Sequence, residues 1–246
     1  MKDIELQNEP TKVMPTLNEQ KKYWDQRWEK EKTPNQWQIK QVEAIIPLIK
    51  KIPNRDLNIL DLGCGTGWMT DMVKEFGHVR GIDLSETAIA TAKSKYPEIE
   101  FAAENFVDSP IPRETFDVVT AKDVIAHVED QRLFINKIAE ILKPHGYLIL
   151  TTINKVIIKR MTLGSEPKGH IKQWLSMRDI KRLCKDRFII LQSMTVNPLG
   201  NKGFLRLVNS YKLNKLLQKI IQEKKIEHIK ECLGLGYTRV IFLQKR

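Results

Sequence analysis

One run, Ile59-Leu60-Asp61-Leu62-Gly63-Cys64-Gly65-Thr66-Gly67, limits the possible folds of this chain more than any other. A short apolar segment, Asn58 to Leu62, ends in glycines at alternate positions, and a helical pattern runs from Trp68 to Phe76, closed by Gly77. Glycines so placed let the main chain turn sharply and leave bare backbone open to a ligand. The alternation then continues. His78 to Ile82 reads as a strand and Glu86 to Lys95 as a helix capped by Ser85. Ile99 to Ala103 and Phe116 to Ala121 read as strands, Asp130 to Leu142 as a helix stopped by Pro144, and Gly146 to Thr152 as a strand. Strands and helices that alternate with short connections predict an α/β domain, a parallel sheet covered on both faces.

The flanks are less regular. Residues 1–17 are polar and hold Pro10 and Pro15, which predicts a loose leader. Residues 18–32 and 36–52 carry helical spacing, with Ile39, Val42, Ile45, Ile46 and Ile49 three and four apart in the second. Past Thr152, residues 155–175 form a basic, irregular connection, Ser176 to Cys184 a helix and Arg187 to Met194 a strand. Residues 204–232 are mostly helical in pattern and rich in lysine, and Thr238 to Leu243 alternates as a last strand. The expected division is a leader with lid helices over 1–52 and one domain over 53–246, embellished at about 200–236.

Asp83 stands twenty residues after Gly63, at the end of the next strand. A carboxylate there can take both hydroxyls of a ribose. The competing reading makes the glycines a packing turn and Asp83 a surface acid. The spacing also separates ligands. A dinucleotide turn is G-x-G-x-x-G, with a pyrophosphate on the helix N-terminus. Here it is G-x-G-x-G, preceded by Asp61, an acid that repels a pyrophosphate and suits a cationic ligand.

Asp61-Leu62-Gly63-Cys64-Gly65-Thr66-Gly67 resembles the first motif of class I S-adenosylmethionine-dependent methyltransferases. The resemblance implies a Rossmann-like, mostly parallel sheet of seven strands, the last antiparallel, with helices on both faces, and S-adenosyl-L-methionine as cofactor. It implies a cofactor site at Asp61, Gly63, Cys64, Gly65 and Gly67, with Asp83 on the ribose beside Leu84. Glu104 would take the adenine amine, Asn105 and Phe106 would lie near the ring, and the backbone of Lys122 would touch the cofactor. Phe116 to Val128, Leu142 to Gly146 and Thr151 to Lys155 resemble segments of the ubiquinone-biosynthesis O-methyltransferases. So do the substrate-side segments Pro167-Lys168-Gly169-His170 and Thr195 to Leu199. The likeness covers roughly residues 57–199.

One departure bears on the chemistry. The family pattern after the fourth strand is E-x-x-E-H, whereas this chain has Asp123-Val124-Ile125-Ala126-His127. Asp123 and His127 lie four apart and share a face on a helical turn. Two ligands hold a divalent ion less firmly than three, so no metal is expected. His127 is the first candidate general base, because imidazole titrates near neutrality, with Asp123 beside it and His170 as the second candidate. Either histidine also reads as a structural one. Tyr23, Trp24, Trp28 and Trp37 read as a lid or acceptor wall, or as plain packing.

Composition sets the remaining bounds. Of 41 Lys+Arg and 30 Asp+Glu, residues 151–246 hold 21 basic against 6 acidic, so the whole net charge of +11 belongs to that part. An anionic partner fits it, and so does a solvated lysine-rich surface. No apolar run approaches the ~18–20 residues that span a bilayer. The first residues lack the apolar centre of a secretory signal, and three dispersed cysteines form no disulfide framework or zinc motif. The expected protein is cytoplasmic. The apolar stripe and basic face of residues 204–230 read as an ordinary amphipathic helix packed on the domain, or as a peripheral contact with the inner face of an anionic membrane. The protein would methylate a hydroxyl of a small-molecule acceptor, such as a quinone-precursor-like phenol, a sugar or another hydroxylated metabolite. The alternatives are a tRNA methyltransferase that uses the basic half, for which no RNA-binding module is visible, and a small-molecule N-methyltransferase.

Overall fold

A computed structural model describes residues 14–31, 33–161 and 169–246. Its strands are β1 (Leu57–Leu62), β2 (Gly77–Asp83), β3 (Glu100–Ala103), β4 (Phe116–Lys122), β5 (Leu142–Ile153), β6 (Phe188–Pro198) and β7 (Gly236–Lys245). They form one sheet in the order β3-β2-β1-β4-β5-β7-β6. Strands β1 to β5 pair in parallel, and β7 runs antiparallel between β5 and β6. This is the Rossmann-like α/β sheet with an antiparallel last strand.

Helices cover both faces. They are α1 (Leu17–Lys30), α2 (Gln36–Lys50), α3 (Trp68–Val73), α4 (Glu86–Lys95), α5 (Gln131–Ile141), α6 (Lys155–Ile158), α7 (Met177–Cys184), α8 (Phe204–Val208), α9 (Tyr211–Leu217) and α10 (Glu223–Cys232). Polar side chains set where they start. Thr16 with Glu19, Asn35 with Gln38, and Ser176 with Asp179 form capping boxes, while Ser85 and Asp130 cap α4 and α5.

Strand alternation sorts the core. Leu60 and Val119 point to the face covered by α5 and α7, among Phe134, Ile138 and Ile180. Ile59 and Val118 point to the other, among Val42, Ile45, Ile49 and Met69 of α2 and α3. Two covered faces explain why β1 and β4 are buried at nearly every position. Because α2 contributes to the same buried cluster as β1, β5 and β7, a boundary at 52–53 divides the sequence but not the core.

Residues 204–232 are mostly helical as expected, divided into α8, α9 and α10, with a cap of its own at Ser210 starting α9. One expectation changes. Pro144 does not stop α5. The helix ends where Leu142 turns extended (φ −73°, ψ 138°), and Pro144 lies in the first part of β5. Residues 1–13 of the expected leader, and residues 162–168 of the basic connection with Pro167 and Lys168, lie outside the described residues.

Candidate functional site

The C-terminal ends of β1, β2, β4, β5 and the start of β7 open onto a cavity of about 820 Å³, closed on the far side by α1 and α2. In open parallel sheets this is where ligands bind. One wall holds Gly63, Cys64, Asp83, Leu84, Glu104, Asn105 and Phe106, and the other Lys122, Asp123 and His127.

The first wall has a polar centre at Asp83. The Asp83 carboxylate accepts from Gly65 N (2.9 Å) through Oδ2 and from Ser85 N (2.9 Å) through Oδ1. The backbone N–H of Leu84 also bears on this carboxylate, whose two oxygens together offer more acceptor sites than these three donors fill. Burial, the larger effect, raises its pKa, and these backbone bonds oppose it. Glu104 carries the next carboxylate, held by Ser109 Oγ and lying near Arg80, and its N–H donates to Asp83 O (2.9 Å). Phe106 is anchored edge-on against Phe134 (5.4 Å), and Asn105 donates to Asp108 (2.6 Å).

The glycines differ in duty. Gly63 (φ +68°) faces the cavity, and a Cβ there would lie 2.2 Å from Val124 Cγ2. Gly65 (φ +55°) is roofed by the Trp28 indole, whose carbons stand 2.6 and 2.7 Å from where its Cβ would be. Gly67 serves packing, since its Cβ would meet Phe101, and it does not line the cavity. Neither does Asp61, which is fully buried behind the turn and accepts from Thr70 Oγ1 (2.7 Å) and Thr120 Oγ1 (2.8 Å). Burial pushes its carboxyl up to about 6. It holds the turn from behind. The buried Cys64 thiol is raised well above its usual range, chiefly by desolvation, and is no nucleophile.

The second wall holds the candidate base. His127 ends a 3-10 turn, Ile125–His127, and its Nδ1 lies 2.7 Å from Ile171 O. A carbonyl only accepts, so Nδ1 carries the hydrogen and Nε2 is left with the lone pair. Trp24, His170 and Trp174 surround the ring at 5.0, 5.2 and 5.7 Å. Desolvation lowers its pKa, against the Ile171 bond and the Asp123 charge. Asp123 also lines the cavity, in a left-handed conformation (φ +61°) that aspartate tolerates. Both its oxygens are engaged, by Thr151 Oγ1 (3.1 Å) and Gln41 Nε2 (3.0 Å). His170 stacks on Tyr23 at 4.0 Å and lies behind His127, off the cavity lining. The Lys122 ammonium sits 5.9 Å from the Trp68 ring centroid.

The structure adds Gln41, Tyr237 and Thr238, which the sequence reading did not single out. Gln41 of α2 is buried and joins Asp123 to Thr238 Oγ1 (2.9 Å) of β7. Trp37 and Tyr237 meet edge to face at 5.8 Å beside it. Gln41 lies four residues after Trp37, one helical turn along the same face, which is the signal that was available.

A family model described as "Methyltransferase domain" matches residues 60–150. A ubiquinone biosynthesis O-methyltransferase of Bartonella tribocorum is 30% identical over 171 residues, which is 62% of this chain and 69% of that protein. The chain belongs to the S-adenosylmethionine-dependent methyltransferases. A second methyltransferase with the same printed name, from Bradyrhizobium diazoefficiens, is 36% identical over 123 residues, 48% of each chain. The chain thus spans about half the length of that curated relative. Among solved methyltransferases, the N-methyltransferase NodS from Bradyrhizobium japonicum, in complex with S-adenosyl-l-homocysteine, superposes with a TM-score of 0.62. It covers 91% of this chain and 98% of that one at 14% identity, a likeness of fold. The cofactor of this family fits the first wall, where bare glycine backbone and a carboxylate with spare lone pairs face the cavity.

Proposed function

We propose that the protein methylates a hydroxyl of a small-molecule acceptor, with S-adenosyl-L-methionine as methyl donor. The observation that carries this reading is the His127 imidazole, whose Nδ1 is committed to Ile171 O, which leaves Nε2 as the basic nitrogen of a ring that lines the same cavity as Asp83. The bound cofactor supplies an electrophilic methyl group.

The chain's residues supply the rest. Asp83 receives the ribose hydroxyls, and Glu104 the adenine amine between Asn105 and Phe106. The indoles of Trp24 and Trp28 keep water from the reacting atoms. His127 Nε2 takes the hydroxyl proton as the acceptor oxygen gains the methyl, and later releases it to water. Trp37, Tyr237 and Ile153 give the acceptor side an apolar and aromatic wall that suits a ring.

Calorimetry with S-adenosylmethionine and S-adenosylhomocysteine tests the first wall: micromolar binding is expected for the wild type and loss for Asp83→Ala. A panel of phenols, catechols and sugars then tests the second, with turnover expected for the wild type and not for His127→Gln. A wild type that binds neither cofactor form refutes the reading.

No helix among the described residues is long and apolar enough to cross a membrane. The insertion α8–α10 exposes Leu207, Tyr211, Leu216 and Ile220 beside Lys212, Lys215 and Lys219. This mixture supports peripheral docking on an anionic lipid surface at the cytoplasmic face. Co-sedimentation with anionic but not neutral vesicles is the expected result. Salt-sensitive binding of tRNA without vesicle binding favours the RNA reading instead.

A further inference from the structure

Helix α1 covers the cavity with Leu17, Gln20, Trp24, Arg27 and Trp28, yet it buries only Gln20. A helix with so little apolar burial needs polar contacts to hold its place. The main one runs through Asp25. Its Oδ1 accepts from Ser85 Oγ (2.6 Å) and from Thr87 N (3.1 Å), at the first turn of α4, and Lys21 pairs with Glu86 one turn earlier. Ser85 is not an incidental partner. Its N–H donates to Asp83 Oδ1, and Asp83 Oδ2 accepts from Gly65 N. Gly65 in turn lies under Trp28 of the same helix. So α1 grips the Asp83 loop with Asp25 and the glycine turn with Trp28. Trp24, next to Asp25 and one turn before Trp28, sets its edge against His127 (5.0 Å, 73°).

We propose that Asp25 is a positioning residue, the latch that docks α1 over the cavity and so sets Trp28 on Gly65 and Trp24 on His127. Release of Asp25 from Ser85 and Thr87 opens the path by which the cofactor enters and its product leaves. This gating role rests on the cofactor reading above; the latch itself does not.

Two measurements on the full chain test it, with Asp25→Ala and Asp25→Asn. The asparagine keeps an oxygen that accepts from Ser85 and Thr87, so it restores the latch without the charge. The first is hydrogen exchange of the ligand-free protein. Amides of residues 17–30 exchange roughly tenfold faster in Asp25→Ala, a factor set by the loss of ~1.4 kcal/mol of hydrogen bonding. The strands β1 and β4 exchange as in the wild type, and Asp25→Asn stays within about threefold of it. The second is stopped-flow tryptophan fluorescence with S-adenosylhomocysteine. Association and dissociation both accelerate roughly tenfold in Asp25→Ala, as for a gate held ajar, and return in Asp25→Asn. Wild-type exchange of α1 in Asp25→Ala overturns the latch. Faster exchange with unchanged ligand kinetics, or with a rise in dissociation alone, overturns the gate. A wild type that does not bind the probe refutes the cofactor reading, and the exchange result still decides the latch.

Discussion

Gly65→Ala separates two costs that the site combines. Gly65 sits at φ +55°, where an L side chain costs about 1–2 kcal/mol. Its new Cβ would also stand 2.6 Å from Trp28 Cζ2, too close for any carbon pair, so the indole must move. The ring belongs to a helix with little apolar burial, so it yields for about 1 kcal/mol. Together these give about 2–3 kcal/mol, a fall in Tm of roughly 4–12 °C for a chain of this size. Trp28→Ala in the same background removes the clash but not the backbone cost. Thermal or denaturant unfolding of the four proteins therefore yields a coupling of about 1 kcal/mol, with the double variant more stable than the sum of the singles implies. Purely additive single effects would falsify the placement of Trp28 on Gly65.

Four further outcomes follow from named groups. Burial holds Asp61 at about 6 against 3.8 for the free acid, so its neutral form is the one the fold favours. That contribution, on the order of 3 kcal/mol, is fully present below about pH 3.8 and lost as pH rises through about 6. Asp61→Asn flattens the stability profile between those values, and an unchanged profile refutes the assignment. His127 is depressed below the ordinary imidazole value, so the acid limb of kcat/KM lies below pH 6.5, and its share of stability is lost as pH falls through the folded value. His127→Gln lowers turnover by about 10²–10⁴ while calorimetric S-adenosylhomocysteine binding stays unchanged. Gln41→Leu removes the link from Asp123 to Thr238 and lowers Tm by roughly 2–4 °C, with cofactor affinity retained; an unaltered Tm argues against that link.

The first wall of the cavity is built locally. Gly63 and Glu104 directly follow β1 and β3, and Asp83 ends β2, with Ser85 at the start of the next helix. Spacing marks the glycine turn and Asp83, whereas Glu104 is reached only through the family resemblance. In the second wall Asp123 is marked by its spacing to His127, but its link to Gln41 and Thr238 is not, because the three meet from distant parts of the chain. Pattern also reports that a residue is buried without saying against what. Asp61 has the right spacing for a ligand contact, yet two threonine hydroxyls hold its carboxylate behind the turn. His170 likewise sits in a segment that resembles a substrate contact, and the Tyr23 ring claims its face. The lysine-rich stretch reads as helical throughout because its apolar period persists, and the cap at Ser210 and the break before Glu223 divide it.

The position of β7 has a consequence for assembly during synthesis. Its register with β5 runs from Tyr147↔Gln244 to Ile153↔Thr238, and β6 pairs with its other edge. Until residues 236–245 emerge, β5 presents an open parallel edge with Leu148, Ile149 and Leu150 in its centre, and β6 has no neighbour in the sheet. More than eighty residues, α6 through α10 among them, are made in that interval. An unpaired apolar edge is a template for pairing with other chains. The ribosome-bound intermediate is therefore the form of this protein most exposed to aggregation, and faster release of the last strand lowers that risk without altering any contact in the finished fold.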